Sequence, residues 1–145
     1  MVQIRKINKC DFEKLLVISF EQFKNESWSK EQYSAAFCDD NYILLGCYLE
    51  QDLKSFVVAN ESLDDVNILM LATSENDKRE GYAKELIQYL QNYVKKHNKT
   101  LSLEVKENNL PAIGLYTKLD FKVVYMRKHY YKDGQNAIIM FYNQE

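Results

Sequence analysis

The chain is predicted to fold as an α/β (α+β) domain, a sheet with helices packed on its faces. Three observations predict it. Residues 82–94 repeat apolar side chains every three or four positions, two short apolar runs, DVNILMLAT (65–73) and LSLEV (101–105), bracket that stretch, and 145 residues suit one domain with one core. One proline and four glycines leave no linker, and no repeat or low-complexity segment is present, so residues 1–145 are expected to be a single domain.

Taken in order, Val2 to Ile7 reads as a strand. Asp11 is expected to cap a helix whose apolar positions include Phe12, Leu15, Leu16 and Phe23. Ser29 and Gln32 stand at capping-box spacing and start a second helix. Tyr42 to Leu49 and Leu53 to Asn60 read as a hairpin turning at Glu50-Gln51-Asp52. Asp65 to Thr73 is apolar almost throughout, as in a strand covered on both faces. The clearest helix follows, with Tyr82, Ala83, Leu86, Ile87, Leu90, Tyr93 and Val94 on one side and Lys84, Glu85, Gln88, Gln91, Asn92, Lys95 and Lys96 on the other. Leu101 to Val105 alternates as a strand, and Asn109 can cap a short helix with Pro111 in its first turn. Phe121 to Tyr131 and Ala137 to Tyr142 are predicted to close the chain as a hairpin around Lys132-Asp133-Gly134.

Composition narrows the function classes. A chain 46% hydrophobic with eleven Tyr and seven Phe is globular. It has no apolar run long enough to cross a membrane, and MVQIRKINKC lacks the apolar core of a signal peptide, so a cytoplasmic protein without membrane contact is expected. Cys10, Cys38 and Cys47 contain no CxxC pair and read as reduced, buried hydrophobes. With His97 and His129 the only histidines, a His-rich metal centre is excluded and no metal is expected. A net charge of -2 gives no reason to expect nucleic-acid binding.

Any bound anion must be held locally, and DKREGYAKEL (77–86) could do so. A basic loop leading into a helix presents free amide hydrogens and the positive end of the helix dipole, and Gly81 permits close approach. Glycine and basic residues before a helix are common, so this signal is weak alone. Neither GxxxxGK[ST] nor GxGxxG is present.

KREGYA (78–83) resembles the [R/Q]xxGx[G/A] acetyl-coenzyme A loop of the GNAT superfamily of N-acetyltransferases, with lysine in the first place. LSLEVKENNLPAIGLYTKLDF (101–121) is similar to the LEVxxxNxxAIxLYxKLGF pattern of its ribosomal-protein-alanine N-acetyltransferases. SWSKEQY (27–33) and RKHYYKDGQNAIIM (127–140) resemble that family's early helix and closing hairpin. The resemblance implies a mixed, mostly antiparallel central sheet flanked by helices, with splayed central strands holding acetyl-CoA. It implies that the backbone of Leu71, Ala72 and Thr73 pairs with the pantetheine arm. The loop of Lys78, Arg79, Glu80, Gly81, Tyr82, Ala83 and Lys84 would hold the pyrophosphate, and Asn109 would contact the cofactor. Glu104 falls on the proton acceptor and Tyr116 on the proton donor. Trp28, Tyr33, Tyr130 and Tyr131 are the candidates for lining the acceptor entrance, with one of the last pair expected in the core. The departures are Glu80 in the loop, Asp120 at the usual turn glycine, and Gln135-Asn136 where an acidic pair is usual.

The chemistry is consistent with those roles. Acetyl transfer from a thioester needs a neutral amine and a proton for the departing thiolate. Near neutral pH deprotonation costs about 1 kcal/mol for an α-amine and about 4 kcal/mol for a lysine, so a carboxylate acting through water suffices for the former. A phenol of pKa ~10 stays protonated and can donate to a thiolate of pKa ~8.5. The expected function is transfer of acetyl from acetyl-CoA to the α-amine of a protein, an N-terminal alanine of a small-subunit ribosomal protein being the implied acceptor. The alternatives are the same fold acting on a small amine or a lysine side chain, where Asp39, Asp40, Asp64 and Asp65 could serve a cation, or a non-catalytic module that binds coenzyme A.

Overall fold

The computed structural model describes residues 1–144. Seven strands form one sheet in the order β1-β2-β3-β4-β5-β7-β6. They are β1 (Val2–Lys6), β2 (Tyr42–Leu49), β3 (Asp52–Glu61), β4 (Asp65–Thr73), β5 (Thr100–Lys106), β6 (Phe121–Arg127) and β7 (Ala137–Tyr142). Among the described residues four α-helices, α1 (Phe12–Phe23), α2 (Lys30–Phe37), α3 (Tyr82–His97) and α4 (Leu110–Lys118), and three short 3-10 turns complete the fold. Among the described residues only β4 and β5 run parallel, joined by the α3 crossover; every other pairing there is antiparallel. The mixed, mostly antiparallel sheet is therefore as expected. No helix among the described residues is long and apolar enough to cross a membrane.

Two cores sit on opposite faces. Leu86, Ile87, Leu90 and Val94 of α3 pack with Leu101, Leu103, Val105 and Tyr116 on one side; Phe12, Leu15 and Ile18 of α1 pack with Tyr33, Phe56 and Val58 on the other. Each strand over both cores must bury alternate side chains twice, which accounts for the near-continuous apolar runs.

Local chemistry explains most boundaries. The Ser29 hydroxyl accepts from the Gln32 amide and the Gln32 side chain accepts from the Ser29 amide, a complete capping box at α2. Asn109 accepts from the Ala112 amide and starts α4. Asp120 ends that unit at φ 70, the left-handed conformation its glycine-like position demands.

Four expectations need correction. Asp11 does not cap α1, because its carboxylate accepts the Tyr48 hydroxyl at 2.7 Å instead. The strand read over 121–131 stops at Arg127: His129 turns to φ 53, its amide donates to Asn136 Oδ1, and neither Tyr130 nor Tyr131 is core. Gln91, read on the outer side of α3, is buried and donates to the Leu119 carbonyl at 2.6 Å, tying α3 to the end of α4. Of the three free cysteines only Cys47 is buried, its thiol pushed up to about 11 by burial first and Glu85 second, while Cys10 and Cys38 are exposed.

Candidate functional site

The site begins with a fault in β4. Val58 of β3 lies opposite Met70 and Ala59 opposite Ile68, so Leu69 is an extra residue, a β-bulge. Its effect on the side chains is visible: Val66 and Ile68 face the α3 core, whereas Met70 and Ala72 face the α1 core. One inserted residue has exchanged the faces of the strand. Parallel pairing of β4 with β5 ends at the same point, the last pair being Ile68 with Leu103. From Leu69 onward the two strands part, and Leu71, Ala72 and Thr73 keep β3 on one side but have no β5 residue paired on the other. A wedge opens in the middle of the sheet with a free backbone edge along it.

Two features fix that edge. Ser55 of β3, fully buried, donates to the Ala72 carbonyl at 2.7 Å and lies 3.1 Å from the Thr73 hydroxyl. Below it, α3 begins with Gly81 at φ 86 and no side-chain cap, so the first-turn amides of Tyr82, Ala83 and Lys84 have no intrahelical partner. A Cβ at Gly81 would meet nothing within 4 Å, and Arg79, at φ 69, and Glu80 are exposed beside it. This is open space with amide donors and the positive end of a sixteen-residue helix turned toward it. Lys78 is drawn aside to Glu75 at 3.1 Å. Asn109 spends its side-chain oxygen on the α4 cap, leaving its amide nitrogen for other contacts.

Glu104 and Tyr116 lie on opposite faces of the sheet. Leu103 and Val105 point into the α3 core, so Glu104 between them points to the other face, where Arg127 Nη1 approaches its carboxylate at 3.8 Å. Tyr116 belongs to the α3 core and packs on Phe121 at 5.7 Å. The residue is 8% exposed, and burial alone pushes its phenol up to about 12. The hydroxyl has no hydrogen-bond partner among the described residues, yet no buried side-chain oxygen there is left unsatisfied. The Tyr116 oxygen must therefore touch open space at the end of an otherwise buried ring.

On the Glu104 face stand the residues expected at an acceptor entrance. Tyr130 is half exposed and packs edge-on to Tyr131 at 5.3 Å, with the Arg127 guanidinium 5.2 Å from the Tyr130 ring. Burial first, then the charge of Glu104, hold the Tyr131 phenol above its ordinary range. Trp28 is half-buried and leans on Tyr33 at 5.3 Å. Tyr33 itself needs correction as an acceptor contact: it is fully buried, its hydroxyl 2.6 Å from Ser19, and it serves as the backing for Trp28. Asn136, at the usual acidic position, donates to Glu107 and accepts from the His129 amide, so it shapes the loop. Asp65 bonds Thr100 and Ser102 at the opposite end of β4, far along the strand from the wedge, and Asp39 accepts from Asn41. Among the described residues no group of three or more His, Cys, Asp or Glu could hold a metal ion.

Sequence reasoning missed Ser55, Arg127 and Lys106. A lone serine inside the apolar run SFVVA was the available signal for the first. Nothing local marks the ion pairs of the other two, whose carboxylate partners lie on distant segments.

Comparison with known proteins places this geometry in context. The family profile described as FR47-like protein matches residues 44–131, from β2 to the loop after β6. A [ribosomal protein bS18]-alanine N-acetyltransferase of Haemophilus ducreyi is 36% identical over 99 residues, which cover 64% of this chain and 68% of that protein. An N-alpha-acetyltransferase of Saccharolobus solfataricus is 37% identical over 76 residues; the match takes in 51% of this chain and 46% of the archaeal protein, about half its length. The crystal structure of the ribosomal-protein-S18-alanine N-acetyltransferase from Escherichia coli superposes with a TM-score of 0.86 at 25% identity, covering 98% of this chain and 93% of that one.

Proposed function

Because the chain belongs to the FR47-like family of GNAT acetyltransferases, we propose that residues 1–145 act as one N-acetyltransferase domain that moves acetyl from acetyl-CoA to a protein's α-amine. The observation that carries the reading is the wedge: a bulge at Leu69 frees the edge of β4 where an amide-bearing arm can add as a strand, and that edge leads to the bare N-terminus of α3. The residues fit coenzyme A. Leu71, Ala72 and Thr73 would pair with the pantetheine amides, the amides from Gly81 to Lys84 would bind the pyrophosphate, and Arg79 would add charge. Lys78 and Glu80 belong to the same loop, and Asn109 would contact the cofactor through its free side-chain amide nitrogen.

With acetyl-CoA bound along that edge, the thioester would come to the gap between β4 and β5. The amine enters from the Glu104 face, where the carboxylate accepts its proton through water. The nitrogen attacks the thioester carbonyl carbon directly, the N–C bond forms, and the C–S bond breaks. Tyr116 donates its proton to the leaving thiolate and recovers one from solvent. Burial, which pushes its phenol up to about 12, keeps the proton in place before the thiolate leaves but also makes the phenol a weaker acid, so the transfer relies on close placement of the sulfur. No covalent enzyme intermediate is needed.

The named relatives act on N-terminal alanine of ribosomal protein bS18 or on α-amines, and the acceptor proposed here is likewise an N-terminal alanine of a small-subunit ribosomal protein, met in the cytoplasm. Thiol release from acetyl-CoA in the presence of an alanine-initiated peptide tests the reading. The parent should release thiol in step with the peptide, while Glu104→Gln and Tyr116→Phe should bind acetyl-CoA normally and turn over poorly. Binding without turnover in the parent, or full turnover in both variants, contradicts it; faster release with a small polyamine than with any peptide would favour the small-amine alternative.

A further inference from the structure

Lys106 ends β5 two residues beyond Glu104 and so lies on the same sheet face. Its ammonium donates to Glu26 Oε1 at 3.2 Å and to Asp133 Oδ2 at 3.0 Å, and it stands 5.1 Å from the centroid of the Tyr131 ring. These partners come from different parts of the chain. Glu26 is in the connection between α1 and α2, two residues before Trp28; Asp133 is in the loop between β6 and β7, two residues after Tyr131. No other ion pair among the described residues reaches either carboxylate.

We propose that Lys106 is a positioning residue that latches the α1–α2 connection to the β6–β7 loop across the acceptor end of the cleft, setting the spacing that an incoming N-terminus meets. The inference rests on the acceptor reading above. An exposed ion pair alone stabilises little, but here two exposed carboxylates converge on a single lysine whose side chain is 25% exposed, and an aromatic face covers another side. Without the lysine both carboxylates would face the same space with no counter-ion, and their repulsion would push the two loops apart. The latch is present at working pH. Asp133 first, then Glu26, raises the Lys106 ammonium above the usual lysine range, and the Gln135 amide, then Lys106, holds the Asp133 carboxyl below the usual carboxylate range.

The chain's only tryptophan, Trp28, gives a readout independent of turnover. In Lys106→Met, Trp28 fluorescence should become severalfold more open to acrylamide quenching, while circular dichroism stays that of the parent. With an alanine-initiated peptide, the acceptor KM should rise severalfold, and kcat and the KM for acetyl-CoA should stay near parental values. Lys106→Arg, which keeps the charge, should restore both signals, and Asp133→Asn should loosen Trp28 in the same direction. Unchanged quenching in Lys106→Met overturns the proposal. So does a parallel rise in both KM values, or a Lys106→Arg variant as impaired as the methionine one. A parent that modifies no peptide would remove the acceptor reading, whereas the quenching comparison would still decide the latch.

Discussion

Replacing Tyr116 by Phe separates catalysis from stability, because the structure assigns its hydroxyl no part in the fold. The ring stays buried in the variant, and the oxygen removed has no hydrogen-bond partner among the described residues. Deleting it strands nothing, so stability should change by less than about 1 kcal/mol and Tm by less than about 3 °C. If Tyr116 protonates the leaving thiolate, kcat should fall at least ~100-fold, about 2.7 kcal/mol of barrier. Acetyl-CoA affinity, measured by calorimetry, should stay at the parental value. Tyr33→Phe is the matched control. Its hydroxyl lies 2.6 Å from the buried Ser19, which in turn meets Ser27 at 2.7 Å, so its loss should cost about 1–2 kcal/mol of stability while turnover persists. A Tyr116→Phe enzyme with kcat within about threefold of the parent would refute the donor role.

Other perturbations test the remaining supports. Gly81→Ala places a methyl group in open space on the ligand side of the α3 terminus, at φ 86; it should lose roughly 1 kcal/mol of stability but weaken acetyl-CoA binding at least ~10-fold, and unchanged affinity by calorimetry would argue against a phosphate there. Gly46→Ala drives a Cβ to 2.6 Å from Leu53 Cδ1 and 2.8 Å from Tyr48 Cε1, so thermal melting should show a loss of about 1–3 kcal/mol; a Tm equal to the parent's would mean the strands part easily. Alkaline pH should unfold the protein: burial raises Tyr33, Tyr48 and Tyr116 to about 12. Stability tied to these raised values is intact below their ordinary pKa of ~10 and is lost as pH climbs toward about 12. Tyrosinate absorbance from Tyr33 and Tyr48, whose hydroxyls are held by Ser19 and Asp11, should appear together with loss of circular dichroism, and their ionisation in the still-folded protein would contradict the burial assignment.

What the sequence disclosed follows the range of the interactions involved. The α3 periodicity, the Ser29–Gln32 box, the Asn109 cap and the turn at Asp120 are settled within a few residues, and each was readable. The bulge at Leu69 was not. A leucine inside DVNILMLAT carries no mark of being the unpaired residue, and only the partner strands β3 and β5 reveal it. Asp11 was misread for the same reason, since the Tyr48 hydroxyl that claims it lies 37 residues away. In the site, the loop from Lys78 to Lys84 and the stretch from Glu104 to Tyr116 were singled out by resemblance, and their roles are proposals. Tyr33, by contrast, could be assigned to core or cleft only once Ser19 was seen against it. The Lys106 latch spans separations of 80 and 27 residues and leaves no local pattern at all.

The most direct test of the central claim is intact-mass detection of acetyl transfer to a peptide that begins with alanine, beside the same peptide with its α-amine blocked and an internal lysine free. Acetylation at the wedge of an N-terminal amine predicts one added acetyl group on the first peptide and none on the second. An acetyl group on the lysine of the blocked peptide, or no mass change in either, would contradict the account.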